Sequence, residues 1–229
     1  MSAKWAFGLA LVFLFAASVV ALGFMQVKAK PCDETLTLSP MIAFELAQTR
    51  TDLEQIFGTP GVECKSEVAG QLHTANLFDT LGYIPGYTAF YLLMAFALGR
   101  RDQMLGGIAM ALALGCGVAD LIENTAMFQL SPVLKSPDWL TVLRISTSIK
   151  WIGLGVVTTL GGVMLARRSG WWGWLGLAIC IVPLAASLWV LGVSKEAGDY
   201  LVPAILLGTA PLAVAAIVGI ISKDQSPDA

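Results

Sequence analysis

The chain has 229 residues, 56% of them hydrophobic and only 13% charged, with a formal net charge of −2 and a mean hydropathy of +0.74. A soluble domain is about half apolar and about a quarter charged, so this composition describes an integral membrane protein with lipids as its immediate neighbours. It excludes a nucleic-acid-binding chain, which would show a basic tract or an RNA-binding signature, and its four cysteines are too few for a disulfide-built scaffold.

Six apolar runs follow one another at residues 5–27, 80–98, 105–130, 140–165, 171–193 and 201–221. Each is close to the roughly 20 residues needed to cross a hydrocarbon core of about 30 Å. The first, preceded by Lys4, is longer than the apolar region of a signal peptide and ends in a poor cleavage pattern, so it reads as an uncleaved span. The second is the weakest, being short and carrying Gly82, Pro85 and Gly86. The sequence therefore predicts an all-α fold, a six-helix transmembrane bundle forming one domain over 1–229. Residues 28–79 are its only long connection and form a small extracytoplasmic cap. Arg100-Arg101 and Arg167-Arg168 fall on one side with Lys4 and Lys223, which gives N-in, C-in by the positive-inside rule. Trp171, Trp172 and Trp174 stand beside the second arginine pair, as in an interfacial aromatic belt.

Within 28–79 the sequence predicts one helix, with Ser39 as N-cap, Pro40 at the first helical position and an end near Gly58. Ile42, Leu46, Leu53, Ile56 and Phe57 form its apolar stripe, and Glu45, Gln48 and Asp52 occupy another face. It would lie across the mouth of the bundle as a lid, with Glu45 either solvated or turned to the polar residues below. Cys32 and Cys64 flank this helix and form a candidate disulfide in an oxidising compartment. Cys116 and Cys180 read as small apolar packers.

The third run holds the chain's least expected residues, Asp120, Glu123 and Asn124, at i, i+3 and i+4 on one helix face. A charged side chain in hydrocarbon costs several kcal/mol even on the lower scales, so such residues line a protein interior or a wet cavity. Asp120 is about 15 residues, or roughly 22 Å, from the inner end of its helix. His73, Asn76, Thr80, Tyr83 and Tyr87, with Asp79 among them, recur at helical spacing and approach from the outer side. Lys150 and, one and a half turns above it, Arg144 descend toward the same depth. Three acids (Asp79, Asp120, Glu123) and two bases (Lys150, Arg144) are thus expected together. They form either an ion-pair network that fixes helix register or an outward-facing pocket for a proton, a cation or a small polar ligand.

Other chemistry is thin. His73 is the only histidine, which excludes a His-rich metal site and a zincin motif. Oxygen ligands from Asp79, Asp120, Glu123 and Asn124 are the one metal arrangement these residues allow, and no metal or cofactor is assigned. No nucleophile elbow, P-loop or dinucleotide fingerprint occurs. The glycines at 115, 117, 153, 155, 161 and 162 suit close helix approach, and Pro183, Pro203 and Pro211 suit bends in the last two spans.

The run Ile42-Ala43-Phe44-Glu45-Leu46-Ala47, then Asp79 with Tyr83 and Tyr87, then Asp120-Leu121-Ile122-Glu123-Asn124, then Lys150, resembles a group of small multi-span bacterial membrane proteins of uncharacterised function. These carry an "AFELA" helix and a "DxxEN" span. The resemblance covers residues 41–151 and implies a bacterial inner-membrane location, with Glu45, Asp79, Asp120, Glu123, Asn124 and Lys150 as the shared positions. It brings no activity with it. Three readings follow: a binding protein for a proton, cation or small polar ligand, a membrane-embedded acid/base enzyme on a lipid-like substrate, or a non-catalytic scaffold. In the first, Asp120 and Glu123 accept the ligand or proton, Asn124 orients, Lys150 supplies the counter-charge and Asp79 guards the entrance. Membrane lipids are partners in all three.

Overall fold

A computed structural model of the protein describes residues 2–25, 31–33, 35–59, 64–130 and 137–221. Among them there is no β-strand. Six helical stretches are long and apolar enough to cross a membrane: Ala3–Leu22, Glu67–Arg101, Gln103–Leu130, Asp138–Ala166, Gly170–Gly192 and Lys195–Ile221. The all-α multi-span architecture expected from the sequence is therefore present, with altered boundaries.

Helix α1 (Ala3–Met25) leads to a cap made of α2 (Pro40–Glu45) and α3 (Arg50–Phe57). The single cap helix expected from Ser39 to Gly58 is thus broken. Thr49 is the cause: its side chain accepts from the Asp52 backbone N–H while the Asp52 carboxylate accepts from the Thr49 N–H, a capping box that restarts the helix at Arg50. Ser39 and Pro40 hold the N-cap and first helical positions of α2 as expected, but the Ser39 hydroxyl donates to Asp199 at 2.9 Å and makes no bond to the first turn.

The second span is also longer than the apolar run. Helix α4 (Cys64–Phe78) passes through a π-helical turn at Asp79–Tyr83 into α5 (Ile84–Leu98), one rod where the sequence suggested a short span after a loop. Pro85 explains the turn, since it has no N–H to offer the carbonyl four residues back and the backbone there widens by one residue. The Ile84 N–H bonds to the Asp79 carbonyl, across five residues.

Helices α6 (Gln103–Leu130) and α7 (Pro137–Ala166) make the most extensive helix pair. The fifth span is broken at Ile181 into α8 (Gly170–Cys180) and α9 (Val182–Gly192), with Pro183 in the first turn of α9. A 3-10 turn at Lys195–Tyr200 leads into α10 (Leu201–Ile221). Small residues set the spacing, as expected: a Cβ on Gly155 would lie 2.6 Å from the Leu184 Cα, and one on Gly162 would lie 2.9 Å from the Leu177 Cα. Gly115 departs from that expectation and faces open space.

Both arginine pairs sit at one end of the bundle, where Arg167 pairs with Asp102 and Arg168 donates to the Ala97 carbonyl at 3.4 Å. Phe7 packs on Gly219, so the N-terminal part of α1 and the C-terminal part of α10 share that end. Trp171, Trp172 and Trp174 are exposed beside it. The cap closes the opposite end. Leu53, Ile56 and Phe57 pack with Ala126, Met127, Leu130 and Leu143 from α6 and α7. Lys195 reaches Asp52 at 2.8 Å. Cys116 and Cys180 are buried and free, whereas the expected Cys32–Cys64 pairing lies outside the described residues because the Cys64 side chain is not among them.

Candidate functional site

The cap, the π turn and the two longest helices, α6 and α7, bring one ammonium and four carboxyl groups together. Lys150 Nζ lies 2.9 Å from Glu45 Oε2, 3.3 Å from Asp120 Oδ1 and 2.5 Å from Glu123 Oε1. Asp79 joins through an amide, with Asn124 Nδ2 donating to Asp79 Oδ2 at 2.6 Å and to Thr80 Oγ1 at 2.9 Å. Asn76 Nδ2 in turn donates to the Asn124 carbonyl at 3.0 Å, which latches α4 to α6. The i, i+3, i+4 spacing of Asp120, Glu123 and Asn124 does what it promised, presenting all three to one side of α6.

The π turn is what lets α4 and α5 both serve the cluster. Asp79 and Tyr87 are eight residues apart, which on a regular α-helix leaves them about 80° out of line. The extra residue in the turn absorbs that angle, so Asp79 meets Asn124 while the Tyr87 hydroxyl donates to Asp120 Oδ2 at 2.8 Å.

The structure decides between the two readings left open for Glu45 and corrects the placement of Arg144. Glu45 is not a solvated cap residue: it is buried, and α2 ends so that its carboxylate points down to Lys150. Arg144 is not in the cluster, because it lies on the exposed face of α7. The expected three acids and two bases are therefore four acids and one base. Trp151 and Thr147 were not singled out as site residues, yet both hold Glu45. Trp151 Nε1 donates to its Oε2 at 3.2 Å and Thr147 Oγ1 to its carbonyl oxygen at 3.1 Å. Trp151 also places its ring centroid 4.8 Å from Lys150 Nζ, within cation–π range. The sequence signal for both was their position beside Lys150, on the same inward side of α7.

The cluster is closed to bulk solvent. Glu123 is 0% exposed, Asp120 and Asn124 2%, Lys150 5%, and Glu45 and Asp79 8%. Glu123 Oε2 and Asn76 Oδ1 are buried with no hydrogen-bond partner. Burial pushes the Glu45 carboxyl above its ordinary range, with Lys150 opposing. Among the described residues no group of three or more His, Cys, Asp or Glu side chains is arranged to hold a metal ion. A crevice of about 250 Å³ opens between α1, α5 and α10, and Tyr83, Tyr87 and Tyr91 line it, but none of the four carboxyl groups does.

Compared with known proteins, the chain matches no protein-family model, no curated protein and no solved structure.

Proposed function

We propose that this integral membrane protein uses its cap-end cluster to bind protons or a small monovalent cation from the extracytoplasmic side. The observation that carries this reading is the charge count: four carboxyl groups surround one ammonium inside a region closed to water. An ion taken out of water costs several kcal/mol unless it is paired, and a formal excess of three negative charges has no cationic partner among the described residues. Bound protons or a small cation supply that balance. Asp120 and Glu123 are then the acceptors, Asn124 orients Asp79, Lys150 is the fixed counter-charge and Asp79 guards the entrance beside the π turn. The unpartnered Glu123 Oε2 is an open acceptor position.

The arginine end is assigned to the cytoplasm by the positive-inside rule, which places both termini inside and the cap outside. With the resemblance to bacterial multi-span proteins, this gives an inner-membrane location. An oxidising exterior suits a Cys32–Cys64 disulfide.

The test is infrared difference spectroscopy of the purified protein titrated between acid and alkaline pH, with and without sodium or potassium. A protonated-carboxyl band that persists near neutrality, exchanges slowly into D2O and diminishes in Asp120→Asn and Glu123→Gln is the expected result. Displacement of that band by one alkali cation would make the cation the ligand. A cluster with no protonated carboxyl and no cation response would leave only a structural network and overturn the proposal.

A further inference from the structure

The crevice and the cluster share one residue. Tyr83 at the end of the π turn and Tyr87 and Tyr91 on α5 stand at i, i+4 and i+8 and form a rail about 12 Å long on the wall of the 250 Å³ crevice. Leu22 of α1 and Leu206 of α10 line the same space and are 61% and 49% exposed on the outside of the bundle. Both belong to helices long and apolar enough to cross a membrane, and in that setting the mouth of the crevice faces the bilayer. Its volume lies just below the roughly 300–1,000 Å³ of pockets that enclose drug-sized ligands, which suits one alkyl chain better than a two-chain lipid.

The polar end of the space is set by Tyr87, whose hydroxyl is bonded to Asp120 Oδ2. Directly behind it lie the four carboxyl groups and their one ammonium. We propose that the crevice binds a single-chain amphipathic cation of the alkylammonium class, its chain among the apolar residues of α1 and α10 and its head at Tyr87 facing Asp120. An anionic head would meet the excess acid at short range in a low dielectric, where like charges repel strongly. A neutral head would gain nothing from it. A cationic head gains both the field of the cluster and the faces of the tyrosine rail. This inference rests on the proposed acid excess, with the cationic head taking the place of a proton or small cation that otherwise balances it, and it adds a ligand class and a route from the membrane.

The experiment uses the full chain in a neutral maltoside detergent and follows its thermal midpoint. The probes are decyltrimethylammonium, decanoate and decanol, added below their micelle-forming concentrations. The ammonium is expected to stabilise the protein at a concentration at least tenfold lower than decanoate or decanol. Ala21→Phe, which fills the crevice from α1 without touching the cluster, is expected to abolish the effect, and Asp120→Asn to reduce the ammonium's advantage about tenfold. Equal effects of the three probes, or an ammonium effect untouched by Ala21→Phe, would overturn the inference. If the infrared carboxyl signal is present and the ammonium preference absent, the crevice inference fails alone. If both are absent, the reading of the cluster beneath it fails too.

Discussion

Replacing Lys150 with methionine tests the charge count most directly. The ammonium is 5% exposed and lies within 3.3 Å of oxygens from three carboxyl groups, two on α6 and one on the cap. Removing one partner of a buried ion pair costs about 3–5 kcal/mol, because the remaining charge is left desolvated and unpaired. Here three acids lose their cation at once, so Lys150→Met is expected at the upper end, about 5 kcal/mol. Glu123→Gln keeps an oxygen for Lys150 and lowers the acid excess by one, so it is expected to cost about 1 kcal/mol, on the scale of one altered hydrogen bond. The double variant should recover part of the Lys150→Met loss, since it removes charge of both signs. Reversible unfolding in mixed micelles, read by circular dichroism, measures all three. If the two single variants cost the same, the cluster is a balanced ion-pair network, and the argument from acid excess is wrong.

The cap provides a pH prediction with two limbs. Glu45 is pushed up by burial, against Lys150, so the folded state binds the proton more tightly than the unfolded state. Its contribution therefore favours the docked cap at low pH and is lost as pH rises through the raised value. Asp52 has the opposite sign: burial raises it, but the bond from Lys195 and the N–H groups of Gln48 and Thr49 hold it below the usual aspartate range. Its contribution is present above that range and is lost as pH falls through the lowered value. Limited proteolysis of the cap should be slowest between the limbs, with Glu45→Gln flattening the upper and Asp52→Asn the lower; unchanged profiles in both would count against the assignment. Thr49→Ala should cost about 1 kcal/mol as a lost N-cap and speed cap proteolysis without disturbing the spans. Gly155→Ala forces a Cβ to 2.6 Å from the Leu184 backbone, so α7 and α9 must separate and the thermal midpoint should fall, whereas Gly115→Ala, facing open space, should be silent.

The fold was legible where the physical signal was local and repeated. Apolar runs near bilayer length revealed the spans, and helical spacing placed Asp120, Glu123 and Asn124 on one face. Lys150 could be brought to that depth by counting residues from the ends of its helix. What escaped the reading depended on a single backbone event or on rotation. Pro85 was visible as a weakness in its span, but that it would produce a π turn rather than an ending required the neighbouring α1 and α6. The buried face of α4, Val68, Ala69, Leu72, Ala75 and Asn76, was present in the sequence at helical spacing. It was hidden by the low hydropathy of its surroundings. Arg144 and Lys150 are six residues apart on one helix, about 120° from alignment, so only one of them could face inward. Glu45 stayed open between solvent and cluster because a cap helix broken before Thr49 aims its first half differently from an unbroken one.

That break also decides what the cap can do. Of the four acids, Glu45 alone belongs to an element outside the membrane-spanning stretches. The cap is held to the bundle by contacts that do not involve the cluster, from Lys195 to Asp52 and from Ser39 to Asp199. Docking the cap therefore brings a fourth carboxyl group to a cluster that already holds three and one ammonium. If the cluster takes up protons, docking and protonation are linked: each proton that offsets the added charge favours the docked cap by the same factor by which docking favours the proton. Fixing the cap with a disulfide from Ser39→Cys and Asp199→Cys should then raise the number of protons the cluster holds at a given alkaline pH. Reduction of that bond should release them. A proton count indifferent to the bond would mean that Glu45 follows the cluster passively, and the cap would be a cover without a part in binding.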